Sequence, residues 1–443
     1  MRVGGKYWGG VFVALCAHPV ASHAQVIDTY LPSAVPGFDE QQGVAVLTEP
    51  RPQYEAEGVR TGGFIVQTGI DESLGYNSNL LGTENALGSA FVETAPYVDV
   101  ASDWGRDRIG LHASLDSIVD TDAPSQTHTD GSVGLGGSMT IGRGDASLGY
   151  THLWQHENGT DIGAIASETP IGYDVDDVRG EVTIVTGSMA WTPNFDVADY
   201  RFGDATLGGA PVGESYQDRL IAALGVTGRY EAAGNDWLLI LQGLDSHYTD
   251  PAQDQPSLDS RSGVALAGID TPADQIWRVR LLAGVEYRSF AAEGVAARTE
   301  PVVEARVVWS PSRMLTLTAT ATRSVEDPQT LGIYGYVFSN ARFTADYEWR
   351  RNVLLQGRLG FAAAEFLPGG GTQTVASAGA GITWLINRTV HISLNYDFAD
   401  QHAPLNGDGA LPLGPGGVPF GPVRLTGGNY TQSVVVVRAH VAL

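Results

Sequence analysis

The chain has 443 residues and a formal charge of −24, from 50 Asp and Glu against 26 Lys and Arg, an acidity that argues against nucleic acid as a partner. Its single cysteine, Cys16, lies close to the N-terminus, so a disulfide framework is excluded. Mean hydropathy is near zero, and no later apolar run reaches the ~18 to 20 residues of a spanning helix, whereas a barrel strand needs only ~9 to 11 and hides its apolar half by alternation.

Residues 1–24 read as a bacterial export signal. Arg2 and Lys6 give a basic start, Val11 to Ala17 a short apolar run, and Ser22-His23-Ala24 the small residues that a signal peptidase needs. Cleavage after Ala24 would remove the only cysteine and the only lysine. Residues 25–61 form a Pro-punctuated acidic lead-in with no sustained period, expected to lie in the periplasm.

From residue 62 to 443 the alternation is regular. Strands are expected near 63–78, 88–102, 107–120, 130–141, 145–157, 175–191, 195–204, 216–231, 236–248, 258–270, 274–290, 298–309, 313–324, 335–349, 352–366, 373–386, 389–400 and 427–443. The best count is eighteen, with sixteen as the lower bound. The even number puts both termini on one side, which is periplasmic in bacterial barrels.

Seven tryptophans mark one rim. Trp104, Trp191, Trp309, Trp349 and Trp384 precede the turn-like stretches Gly105-Arg106, Thr192-Pro193-Asn194, Ser310-Pro311-Ser312, Arg350-Arg351 and Asn387-Arg388, while Trp237 and Trp277 follow Ala233-Gly234-Asn235 and Thr271-Pro272-Ala273. Longer loops rich in Gly, Pro, Asp and Asn join the other strand ends. An aromatic girdle at one edge is expected of a transmembrane barrel. A second girdle is expected near the long loops, from Trp154 and from Tyr76, Tyr173, Tyr216, Tyr248, Tyr287, Tyr334, Tyr396 and Tyr430.

The segment around Trp277 shows the alternation best. Trp277, Val279, Leu281, Ala283, Val285 and Tyr287 share a face that lipid tolerates, and Arg278, Arg280, Leu282, Gly284, Glu286 and Arg288 share one that needs water or partners. Trp277 and Tyr287 are ten residues apart, so at ~3.3 Å per residue and ~40° tilt they span ~25 Å along the normal, the height of a barrel's apolar band. The last strand alternates to an apolar terminal residue, Leu443, where outer-membrane barrels commonly carry an aromatic.

The stretch Arg51-Pro52-Gln53-Tyr54, followed by Gly62-Gly63-Phe64 and Gly75-Tyr76-Asn77-Ser78-Asn79, resembles the entry to the first strand in a family of outer-membrane β-barrel porins. There an Arg-Pro-x-Tyr stretch leads to a Gly-x-Phe strand start, and a Gly-Tyr-Asp/Asn-x-Asn element ends the strand. The motif covers about thirty residues. The resemblance implies a barrel in the outer membrane. Some members are similar to barrels of exopolysaccharide gene sets, which implies polysaccharide export as a second function.

The candidate pore-lining residues are the ionisable ones on inward faces: Arg108, Asp116, Arg229, Arg278, Arg280, Glu286, Arg288, Glu304, Arg306, Arg342, Asp346, Arg358, Asp397 and Arg438. At roughly 16 to 18 strands the lumen is an aqueous channel, and Arg and carboxylate ladders on opposite walls would set up a transverse field. The competing reading is that they only pair across strands and solvate the wall. The loops at 158–174 and 401–428 are candidates for folding inward.

Enzyme and metal signals are thin. His391 and Ser393 lie ~7 Å apart on one face, too far for a nucleophile–base hydrogen bond. His152 and His156 have a zinc spacing for a helix, not for the strand expected there. Gly134-Leu135-Gly136-Gly137 lacks the Lys and helix of a phosphate-binding loop. No catalytic residue, metal or cofactor is therefore assigned. The expected fold is an all-β antiparallel transmembrane barrel. The expected function is passive passage of small hydrophilic solutes, with polysaccharide export second and a closed structural or envelope-assembly barrel third. The expected partners are outer-membrane lipid, the barrel assembly machinery and the solute, with self-association left open.

Overall fold

The computed structural model describes residues 45–443 except 163, 165–166, 253–254, 273–275, 329–332, 368–370 and 404–427. The expected export signal and most of the 401–428 loop lie outside the described residues. Eighteen long strands form one closed antiparallel sheet: β1 (Phe64–Asn77), β2 (Ser89–Ser102), β3 (Arg108–Asp120), β4 (His128–Ile141), β5 (Gly144–Glu157), β6 (Ile171–Val182), β7 (Met189–Phe202), β8 (Arg219–Ala232), β9 (Asn235–Tyr248), β10 (Ser260–Asp270), β11 (Trp277–Phe290), β12 (Arg298–Ser312), β13 (Leu315–Glu326), β14 (Gly335–Arg350), β15 (Val353–Leu367), β16 (Thr372–Leu385), β17 (Val390–His402) and β18 (Tyr430–Ala442). Each strand pairs with its neighbour in sequence. The sheet closes where β1 meets β18, from Gly69↔Ala442 to Asn77↔Val434, and the Leu443 N–H extends the seam to the Thr68 carbonyl at 2.9 Å.

The two rims differ because their turns do. At one rim Gly142-Arg143 and Ala233-Gly234 each join two strands directly. Ala233 (φ 53°) and Gly234 (φ 76°) both take positive φ, the backbone that lets a two-residue hairpin follow the strand twist. The first strand begins and the last ends at this rim. At the other rim the connections are longer, and one of them, residues 203–218, carries its own hairpin of Asp204–Leu207 on Ala210–Gly213.

Alternation sorts the side chains as the sequence implies. On β11 Trp277, Leu281, Val285 and Tyr287 are exposed on the outer wall, while Leu282, Glu286 and Arg288 are buried inside. The outer wall continues through Leu224, Leu239, Leu241, Leu359, Phe361, Leu394 and Val437, an apolar surface that only lipid can cover. The seven tryptophans all stand at the short-turn rim. Trp277 and Trp309, register partners on β11 and β12, stack with centroids 4.9 Å apart and planes 9° from parallel.

Two expectations change. The turn between β6 and β7 is at Gly187 (φ 64°), not at Thr192-Pro193-Asn194, so the strands end and begin at 182 and 189 rather than 191 and 195. Pro193 is accommodated inside β7 because the β6 ladder is interrupted at Thr183, between Val182 and Ile184, where no partner asks for its missing N–H. The second girdle is also thinner than expected. Tyr76, Tyr287 and Tyr396 are exposed on the outer wall, but Tyr173, Tyr216, Tyr248 and Tyr430 are buried. Their positions carry inward parity or sit on loops that turn in.

Candidate functional site

The lumen is narrowed at both ends by chain that folds into it. At the short-turn rim, residues 45–57 enter the barrel and pack against β13 to β17. Val46 is buried against Leu354 and Leu385, with Leu47 and Tyr54 alongside. Polar contacts fix the segment. The Val46 N–H donates to Thr316 Oγ1 at 3.0 Å, and Arg51 Nη2 donates to Glu348 Oε2 and to the Val46 carbonyl, both at 2.7 Å. His391 Nε2 donates to the Tyr54 carbonyl at 2.7 Å, and Arg388 pairs with Glu57. The Arg-Pro-x-Tyr stretch is thus the anchor of an internal segment: Arg51 supplies the charge and Tyr54 the carbonyl.

At the long-loop rim the β5–β6 connection crosses the interior. Ile162 is fully buried against Tyr336, Phe338, Ala362, Phe366 and Val375 of β14 to β16. Asp161 accepts the Asn158 N–H at 3.1 Å. Burial pushes its carboxyl up to about 7, with Glu157 and Asp130 adding to the rise. Burial likewise raises Glu214, in the 203–218 connection, to about 7.

Asp327, at the start of the β13–β14 connection, reaches inward to the two buried cations Arg288 and Arg219, the latter at 3.6 Å, and accepts Ser246 Oγ at 2.8 Å. Burial alone would raise Asp327, but Arg288 and Arg219 outweigh it and hold the carboxyl below its ordinary value. Arg219 also lies 4.7 Å over the Tyr200 ring, a desolvated cation–π contact.

Between these closures the wall is charged. On β11 to β15 the arginines Arg278, Arg280, Arg306, Arg342 and Arg358 are interleaved with the carboxylates Glu286, Glu304 and Asp346. Arg280 and Arg306 are register partners, and Arg280 donates to Glu304 at 2.7 Å and to Asp270 at 3.1 Å. On the far side of the closed sheet β1 to β4 present Asp71, Glu93, Asp99, Asp116 and Asp130, with Asp116 opposite Asp130 in register. Arg438 joins that side, 3.2 Å from Glu93 and 2.9 Å from Ser73 Oγ. Arg358 forks onto Asp397 at 2.8 and 2.9 Å across β16. Gly379 lies between them, where a Cβ would come within 2.1 Å of the carboxylate.

All fourteen residues singled out from the sequence sit at inward parity, in different settings. Arg278, Arg280, Glu304 and Arg306 form one cluster, and Asp346, Arg358 and Asp397 another, linked by Gln356 Nε2, which donates to Asp346 at 2.8 Å. Arg342 lines the same wall between them. Asp116 and Arg438 belong to the acidic side. Glu286 and Arg288 are buried beneath the β13–β14 connection. Arg108 and Arg229 stand at the short-turn rim, on Ser138 at 3.2 Å and on Asp236 at 3.5 Å.

Sequence reading passed over Asp71, Glu93, Asp99, His112 and His440, which pair as His440–Asp71 and His112–Asp99 at 2.7 Å each. Strict parity on β1 and β2 would have found the acids. Outward Thr68, Glu72 and Thr94 on the same strands blur that signal. His152 and His156 lie on a strand as expected, and each pairs with an Asp, Asp176 at 2.9 Å and Asp130 at 2.7 Å.

Comparison with known proteins adds the following. Residues 51–408 match the model of the family described as "Putative beta-barrel porin 2". No curated protein matches the chain. Among solved structures, the FrpB iron transporter from Neisseria meningitidis is 9% identical over 78% of this chain and 62% of its own, at TM-score 0.43. OccK2 (OpdF) from Pseudomonas aeruginosa is 10% identical over 86% of this chain and 100% of its own, at 0.44. A BenF-like porin from Pseudomonas fluorescens Pf-5 is 8% identical over 85% and 99%, at 0.45. The chain thus spans 62% of the FrpB length.

Proposed function

The chain belongs to the family described as "Putative beta-barrel porin 2", and on that premise we propose that it conducts small hydrophilic solutes passively across the bacterial outer membrane. The observation that carries this reading is the charged inner wall of a closed eighteen-strand barrel: arginines interleaved with carboxylates on β11 to β15, facing carboxylates on β1 to β4. Such walls order water and filter polar solutes by charge and size. The infolded segment at 45–57 and the crossing at Ile162 narrow the lumen, which favours small solutes over a polymer. On this reading residues 1–24 direct export, the assembly machinery inserts the barrel, and both termini lie in the periplasm.

Reconstitution of the full-length protein into planar bilayers tests it. Discrete conductance steps in potassium chloride are expected. A bilayer that takes up folded protein and stays silent at every voltage would instead support a closed structural barrel.

A further inference from the structure

We infer that the lumen pocket between the 45–57 segment and strands β15 to β18, β1 and β2 binds a small hydroxylated solute that carries no negative charge, of the sugar or polyol class. This rests on the channel reading above and names what that channel prefers. The pocket is a cavity of about 160 Å³, room for one small solute in place of several waters.

Its arginines are already matched. Arg358 is held by Asp397, Arg438 by Glu93 and Arg388 by Glu57, while Asp71 and Asp99 are hydrogen-bonded by His440 and His112 at 2.7 Å each and Glu55 adds a third carboxylate to the lining. An anionic solute entering here would lose hydration, meet these carboxylates and find no free cation among the arginines, or would have to break one of their pairs. Either course is costly in a desolvated site. A hydroxyl meets no such penalty, because it exchanges water for protein hydrogen bonds at small net cost.

The partners for hydroxyls are present. Gln67, Thr383, Ser393 and Asn395 line the cavity. Asp99 is 5% exposed, and its Oδ2 has no hydrogen-bond partner among the described residues. It is an acceptor in want of an O–H or N–H donor. The apolar part of the lining suits the C–H surface of a sugar ring. Leu47 and Ala56 close the pocket from the short-turn side. Tyr97, His440 and His391 form a row of rings, with centroids 6.1 Å and 5.4 Å apart in turn. The inserted segment therefore completes the site as well as narrowing the pore.

The test is solute block of single-channel potassium chloride current in the full-length protein, titrated with glucose and gluconate. These share a carbon frame and differ in charge. Glucose is expected to bind at least ~5-fold more tightly than gluconate, about the weight of one net hydrogen bond. Thr383→Val with Asn395→Leu is expected to weaken the glucose block. Gluconate binding as tightly as glucose to the unaltered protein would overturn the inference, as would conductance steps that no sugar modulates. Absence of any conductance would overturn the channel reading, and this inference with it.

Discussion

Arg51 reaches across 297 positions of sequence to put its guanidinium 2.7 Å from Glu348, and the arginine side chain is only 2% exposed. The pair holds a segment that precedes the barrel inside the barrel. Removing Glu348 would strand a buried cation, a loss of roughly 3–5 kcal/mol for a pair of this kind. The expected outcome of Glu348→Ala is a released 45–57 segment. Single-channel conductance should rise, and a glutamate-specific protease should cleave after Glu55 or Glu57, sites resistant in the unaltered protein. An unchanged digest and unchanged conductance together would show that the pair does not anchor the segment.

Ion selectivity should follow the β11 to β15 wall. Reversing Arg278 and Arg306 to Glu is expected to shift the reversal potential in a salt gradient towards cation preference. Arg288 is unsuitable for this experiment, because it is buried against Asp327 and its replacement would disturb the β13–β14 connection first. A reversal potential unmoved by the double variant would place these arginines away from the conducted ions.

Asp327→Ala should be among the most damaging single changes in the connections. It leaves Arg219 and Arg288 without their shared carboxylate, again an expected loss of about 3–5 kcal/mol. Urea unfolding in detergent should show it. The companion variant Ser246→Ala, which removes only one neutral donor to Asp327, should cost about 1 kcal/mol. Equal costs for the two would mean that the ion cluster contributes little.

The inward β5–β6 connection should respond to pH. Asp161 rises from 3.8 to about 7 on docking, so the docked state binds a proton that the free loop does not. That contribution is complete below about pH 4 and is lost as pH rises through 7. Conductance is therefore expected to be smaller, or closures longer, at pH 5 than at pH 8. Asp161→Asn should flatten the profile near its low-pH level. A profile that Asp161→Asn leaves as steep would assign the effect to other groups.

The outward face can be tested at Leu281, midway along β11. Leu281→Arg places a cation against the hydrocarbon and should cost about 2–4 kcal/mol near the midplane. Leu282→Ala, one residue on, should instead cost a cavity of similar magnitude inside, because Leu282 is buried with Leu238, Leu266 and Val302. Folding titrations into lipid vesicles measure both. A neutral Leu281→Arg would contradict the outward assignment of that face.

The wall was legible in the sequence because one short-range rule, period two, governs both pleat and environment. The Trp277 strand and the even strand count followed from it directly. Where a second rule competed, the reading slipped. Pro193 punctuates the sequence like a turn, but the interruption at Thr183 lets it stay in β7, and Gly187 makes the turn instead. The tyrosines were grouped by position along the strand without regard to parity, which put Tyr248 and Tyr430 outside when they are inside. The infolded pieces were less legible still. Val46, Arg51, Ile162 and Asp327 find their partners across the lumen, at separations that no local pattern encodes. The Arg51 motif was visible as a resemblance, but its partner Glu348 was not.

The seam between β1 and β18 has a consequence for biogenesis. The two strands that meet there lie far apart in sequence, so until they pair both edges are open and the valine run from Val434 to Val437 is an unpaired, uncharged template for other chains. The 45–57 segment must also be inside, or must thread in through the short-turn mouth, before the lumen attains its final bore. Timing as well as affinity therefore decides whether a newly made copy becomes a channel or an aggregate.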